Sequence, residues 1–245
     1  MEITTDHIIF WEWEFIHINA TLVYSWGVMT LLVVGSWLVS RRLSSGTKMS
    51  RWQNLLEVLV TMIQDQIREA SRQEPRHYLP FIGTLFLFIL VSNIIDVIPG
   101  VSAPTSSLST TAALASCVFV AVPVFGIAQQ GLRAYLAHYT KPSLLMLPFN
   151  IIGELSRTIA LAIRLFGNMM SGSLIVAILL SLAPLFFPVL VQAFGLLIGV
   201  IQAYVFSILA LVYIASGQRV KQHELEEALN EDISPEDQDL HENIN

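Results

Sequence analysis

From Leu165 to Gln218 not one Asp, Glu, Lys or Arg interrupts the chain. At about 20 residues per helical crossing of roughly 30 Å of hydrocarbon, that run is long enough to cross a bilayer twice. Three further apolar runs, near Thr21–Val39, Tyr78–Ile98 and Leu108–Gln130, predict one crossing each. The turn signal Ala183-Pro184 with Pro188 divides the last stretch into two long helices, over about 149–182 and 186–216. The expected fold is an all-α integral membrane protein with about five crossings. Only 13% of its 245 residues are charged and 54% are apolar. A soluble domain carries nearer a quarter charged residues.

The basic residues set an orientation. Arg41, Arg42, Lys48 and Arg51 follow the first span, Arg68, Arg72 and Arg76 precede the second, Arg133 and Lys141 follow the third, and Arg219 and Lys221 follow the fifth. By the positive-inside rule this face is cytoplasmic. The segment 1–20, with Glu2, Asp6, Glu12 and Glu14, then lies outside, and so does the uncharged loop Pro99–Ser107. Phe10, Trp11, Trp13, Phe15, Tyr24 and Trp26 suit an outer aromatic belt. The opening MEITTDHIIFWEWEF lacks the basic region of a secretory signal, so the first apolar segment is expected to be retained. The membrane domain is read as 21–216 and the acidic tail as 217–245, a short helix fading into disorder.

Between the first two spans, at about 51–73, Leu55, Leu56, Leu59, Met62, Ile63 and Ile67 recur at helical spacing among polar residues. This amphipathic helix lies along the cytoplasmic interface or docks on a partner, with packing in the chain's own core as the alternative. No internal repeat of the kind found in many secondary transporters is visible. A net charge of −6 and scattered cations argue against nucleic-acid binding. Cys117, the single cysteine, reads as a small packing residue.

One arginine lies inside the apolar stretch LAIRLFGNMMSG. Seven helical residues turn through about 700°, so Asn150, Arg157, Arg164 and Ser171 share one face of the fourth long helix, with Asn168 at its edge. Glu154, three residues before Arg157, is close enough to pair with it. An arginine at mid-bilayer costs about 2.5–3.5 kcal/mol on insertion scales, and such residues face a bundle interior or a water-filled path. On the last helix Gly195, Gly199 and Gln202 form a small-residue seam ending in an amide that can either meet Arg164 or bond a backbone carbonyl. Asp96, near the outer end of the second span, is either an interfacial helix-end residue or part of an ion-entry path.

Several chemistries are excluded. The chain has no GxSxG setting, HExxH pair, paired intramembrane aspartates, Walker loop or dinucleotide fingerprint. His7, His17, His77, His138, His223 and His241 all fall away from the span centres, which leaves a bis-histidine haem without ligands. A guanidinium cannot shuttle protons, because its pKa exceeds about 12. It does lower the pKa of a carboxylate brought beside it and so favours release of that group's proton or cation. With no obvious mid-membrane carboxylate of its own, this chain needs a partner for that work.

The segments RTIALAIRLFGNMMSG and IQAYVFSILALVYI together resemble the paired motifs of subunit a of F-type ATP synthases, the ion-channel stator beside a rotating c-ring. The likeness extends from about Arg51 through SNIIDVIPG and PTSSLSTT. It implies that Arg164 is the family's essential arginine, with Asn168, Gln202 and Glu154 at the family's other motif positions. It further implies two offset half-channels carrying H+ or Na+ to and from a c-ring carboxylate, and two long helices tilted across the ring. A peripheral-stalk subunit b, a bacterial inner-membrane location, no bound cofactor and no catalysis on this chain follow in the same way. The sequence departs from the common pattern at Ser173, where many members carry glutamate, at Ser106–Ser107, and at Arg157-Thr158. Hydroxyls in place of acids keep both ions open. Two rival readings remain: a stand-alone secondary transporter with Arg164 as counter-ion for an anionic substrate, and a membrane scaffold with Arg164 tied to Glu154 or a carbonyl.

Overall fold

A computed structural model describes residues 9–13, 16–41, 51–71, 75–98, 101, 103–132, 146–182 and 187–216. The acidic tail, the outermost N-terminal residues and the cations at 42, 48, 72, 133, 141, 219 and 221 lie outside the described residues. Among those described are six α-helices: α1 Ala20–Ser40, α2 Arg51–Ser71, α3 Leu79–Ile95, α4 Leu108–Gln130, α5 Met146–Leu182 and α6 Phe187–Ser216. Four of them, α1, α4, α5 and α6, are long and apolar enough to cross a membrane, and α3 is a shorter apolar helix. This is an all-α integral membrane protein. In hydrocarbon each backbone N–H and C=O needs a partner within the protein, and a helix supplies it locally.

Helix ends follow from local chemistry. Pro80 opens α3, where a missing N–H does no harm. Gly131 closes α4 at φ +82°, a conformation that favours glycine, and its N–H donates to Ile127 O at 2.9 Å. Ahead of the helices lies a ribbon that the sequence reading did not anticipate. Strands β1 Ile9–Trp13 and β2 Ile16–Asn19 pair antiparallel, Trp13 opposite Ile16, with a register shift between Ile9 and Trp11. Its β-branched and aromatic residues favour extended backbone.

Helix α6 is the hub. It packs against α2, α3, α4 and α5, and Ala203, Phe206, Ala210, Leu211 and Ile214 are fully buried on it. One side of the amphipathic α2 packs on this core. Ile67 is fully buried, Ile63 and Leu59 pack against the cluster, and Tyr204 Oη donates to Gln66 Oε1 at 2.6 Å. Met62 of the same stripe stays half-exposed. Cys117 is exposed on α4, which corrects its reading as a packing residue within this chain.

Packing in lipid gains little from the hydrophobic effect, because lipid tails are as apolar as the side chains they surround. Phe206→Ala is therefore expected to destabilise the protein by about 3 kcal/mol, the low end of the range for soluble cores, since mainly van der Waals contact is lost. Thermal unfolding of the purified complex in detergent checks this; a loss below about 1 kcal/mol would contradict the hub role of α6.

Candidate functional site

Helix α5 turns Leu161, Leu165 and Met169 into the bundle, each 7% exposed or less. Arg157, Arg164 and Ser171, on the adjoining face, are exposed. Arg164 thus faces out of this chain rather than into its interior. Among the described residues none forms a hydrogen bond or ion pair with Arg164. Asn168, four residues and about 400° further on, sits some 40° round the helix from Arg164, at the border between the exposed and buried sides. Its side chain is half-buried and reaches α6.

There Asn168 Nδ2 donates to Gln202 Oε1 at 3.2 Å. Gln202 is 5% exposed, and its Nε2 has no hydrogen-bond partner. Of the two outcomes the sequence left open, Gln202 takes neither: its amide meets Asn168, and Arg164 stays free of it. Arg157 lies with its guanidinium carbon 5.8 Å from the Tyr213 ring centroid, a cation–π contact that ties its end of α5 to α6. Glu154 is half-buried and its backbone O accepts from Thr158 Oγ1 at 3.0 Å. Asn150 is exposed near the start of the same helix.

Beyond Asn168, in the direction away from Arg157, a cavity of about 530 Å³ opens between α3, α5 and α6. Its polar lining is Asn93, Asp96, Asn168, Ser171, Ser173 and Gln192. The hydroxyls of Ser171 and Ser173 donate to carbonyls of their own helix, Asn168 O at 3.1 Å and Met170 O at 3.0 Å. Asp96 caps α3, and its Oδ1 accepts from the Ala103 N–H at 2.9 Å. Gln192 Nε2 donates to Asp96 O at 3.3 Å and Val97 O at 3.1 Å. Two freed carbonyls at the α3 C-terminus are thereby satisfied from α6. Among the described residues no cluster of three or more His, Cys, Asp or Glu could hold a metal ion.

Asn93 and Gln192 line this cavity, and reading the sequence did not single them out. Asn93 stands inside the SNIIDVIPG segment and Gln192 is the first amide in an otherwise apolar run. A polar side chain alone in a membrane helix was the available signal. Gly199 of the small-residue seam does admit a close neighbour: a Cβ there would lie 2.9 Å from Asn93 Cβ. Gly195 has open space around it and needs no such explanation.

Long apolar helices that enclose a buried amide pair and a polar cavity define a multi-pass membrane protein. The family model for the ATP synthase A chain matches residues 22–215, and this chain belongs to that family. It is 60% identical over 222 residues to ATP synthase subunit a 1 of Crocosphaera subtropica, covering 91% of this chain and 96% of that protein. It is also 60% identical over 223 residues to ATP synthase subunit a 2 of Acaryochloris marina, covering 91% and 95%. Identity to ATP synthase subunit a of Albidiferax ferrireducens is 58% over 219 residues, covering 89% and 95%. The chain is accordingly a membrane subunit of an F-type ATP synthase, in a family of ion transport.

The amide pair can be weighed by a double-mutant cycle on Asn168→Leu and Gln202→Leu. A coupling of about 0.5–1.5 kcal/mol in thermal unfolding of the complex is expected, in line with interhelical hydrogen bonds in membranes. Strict additivity would show that the two amides do not depend on each other.

Proposed function

We propose that this chain is the ion-translocating stator subunit of its ATP synthase, conducting H+ or Na+ to and from carboxylates on a ring of c subunits. The observation that carries this reading is Arg164: a permanent cation on the outward face of an apolar helix, without an ion-pair partner among the described residues. Left against lipid it would cost about 2.5–3.5 kcal/mol. A carboxylate presented by a neighbouring subunit removes that penalty, and the same charge then drives the carboxylate toward its ionised form, releasing the bound ion. An arginine keeps its charge throughout, so ions cannot pass from one side to the other through it.

The cavity on one side of Arg164 supports an aqueous half-channel that ends at Asn168. Asp96, Gln192, Ser171 and Ser173 offer carboxylate, amide and hydroxyl groups along it, and such a lining serves either ion. A second half-channel, on the side of Asn150, Glu154 and Arg157, completes the offset pair. Helix α5 has 37 residues, or about 55 Å at 1.5 Å per residue, well beyond the roughly 30 Å of hydrocarbon; a tilted course along a c-ring accommodates that length. The proposed setting is a bacterial inner membrane with the N-terminus outside and the C-terminus in the cytoplasm. Subunit b of the peripheral stalk holds the stator, and ATP chemistry resides on partner subunits. Family membership removes the motive for a stand-alone anion transporter.

ATP-driven ion pumping into inverted vesicles carrying the whole complex provides the test, with variants compared at equal assembled amount. Arg164→Ala is expected to abolish coupled pumping, and Arg164→Lys to restore it weakly at best, because a compact ammonium lacks the guanidinium's planar fork. Normal pumping by both variants would overturn the reading. Repeating the wild-type measurement at fixed pH with and without Na+ identifies the ion.

A further inference from the structure

Asn93 uses both ends of its amide inside the bundle. Its Nδ2 donates to Gly199 O of α6 at 2.8 Å, and its Oδ1 accepts from Thr105 Oγ1 at 2.9 Å. Asn93 is 4% exposed and Thr105 is fully buried. The acceptor on α6 is a helix carbonyl, which already serves its own helix and has a second lone pair for a further donor. The Gly199 carbonyl, which can only accept, fixes which way the amide points, and the Thr105 hydroxyl then donates to the amide oxygen and holds its far end. Gly199 permits the approach: an added Cβ would sit 2.9 Å from Asn93 Cβ and 3.3 Å from Nδ2.

Three residues beyond Gly199 on the same helix stands Gln202, the partner of Asn168. Ordinary packing along α6 is apolar and leaves sliding or rotation of the helix weakly opposed, because lipid solvates the alternatives as well. A directional hydrogen bond at a site with no spare room resists both motions. We propose that Asn93, held by Thr105 and received by Gly199, is a positioning residue of the translocation site: it sets the register of α6 on α3 and so places the Gln202 amide against Asn168. The role of that site rests on the function proposed above; the placement itself does not. Asn93 also borders the cavity that ends at Asn168, so the clamp and the proposed ion path share one wall.

The test uses the whole complex in native membranes, with two readouts per assembled chain. The first is cross-linking between Asn168→Cys and Gln202→Cys by a short bifunctional thiol reagent, in a Cys117→Ser background. The second is ATP-driven pumping by otherwise unaltered chains. Asn93→Ala is expected to lower the cross-linking yield at least about threefold and pumping about tenfold. Gly199→Ala, which forces the Cβ contact, is expected to do the same, and Thr105→Val to give a smaller loss of both. A merely structural Asn93 would change the amount assembled and leave the yield per assembled chain as it was. Unchanged cross-linking in Asn93→Ala overturns the proposal, whatever the pumping rate. If Asn93→Ala does not assemble, Gly199→Ala decides by the same criterion. Arg164→Ala, measured alongside, separates the two readings: normal pumping there defeats the translocation role of the site while the cross-linking result still judges the clamp.

Discussion

The contact that orders this protein is the close seating of α6 on α3. In water such a contact would be driven by burial of apolar surface, whereas in lipid the surface is solvated equally well apart from packing density and directional bonds. The chain supplies both at this seam. Gly199 brings the backbones together, Asn93 occupies the space that glycine leaves, and Gln192 ties the start of α6 to the end of α3. Phe206, Leu211 and Ile214 then fill the remainder, with Ile67 of α2 closing the core from the side.

With α6 fixed, α5 is left with two dissimilar faces. The inward one carries Leu161 and Leu165, and the outward one carries Arg157, Arg164 and Ser171. Asn168 stands on the border and joins the two, since its amide is paired inward while its backbone position adjoins the cation. Arg164 has no ion-pair partner among the described residues, and the function proposed above has a neighbouring subunit answer that charge. On that proposal the outward face is half of an interface, which fits how little of α5 this chain buries for itself.

The departures from the family's common pattern also find a physical place. Ser173 borders the cavity, with its hydroxyl directed to a carbonyl of its own helix. Ser107 is fully buried, with its Oγ 2.7 Å from Ser109 Oγ. Among the described residues that line the cavity, Asp96 is the one acidic side chain. Amides are neutral across the physiological range and can both donate and accept, so a path lined by them orders water or a desolvated cation without titrating.

The helices were legible in the sequence because apolar length and helical periodicity are local properties. The runs starting near Leu108 and ending near Leu182 read directly as helices, and membership of the family was written in RLFGN and the downstream Gln202. The amphipathic stripe of α2 was equally visible, yet the same pattern serves a membrane surface, a partner or a core, and only the structure shows that Ile67 is buried in the core while Met62 stays half-exposed. The ribbon at Ile9–Asn19 was missed because aromatic and β-branched residues next to a span read equally well as an interfacial belt. Arg164 could be singled out from sequence alone, since an isolated charge in an apolar run carries a penalty wherever it points. Its direction could not. Asn168 and Gln202 are 34 residues apart, and Asn93 and Gly199 are 106 apart. Which amide meets which depends on how three helices rotate about their axes, a quantity that no local pattern encodes and that the Asn93–Gly199 fit resolves in three dimensions.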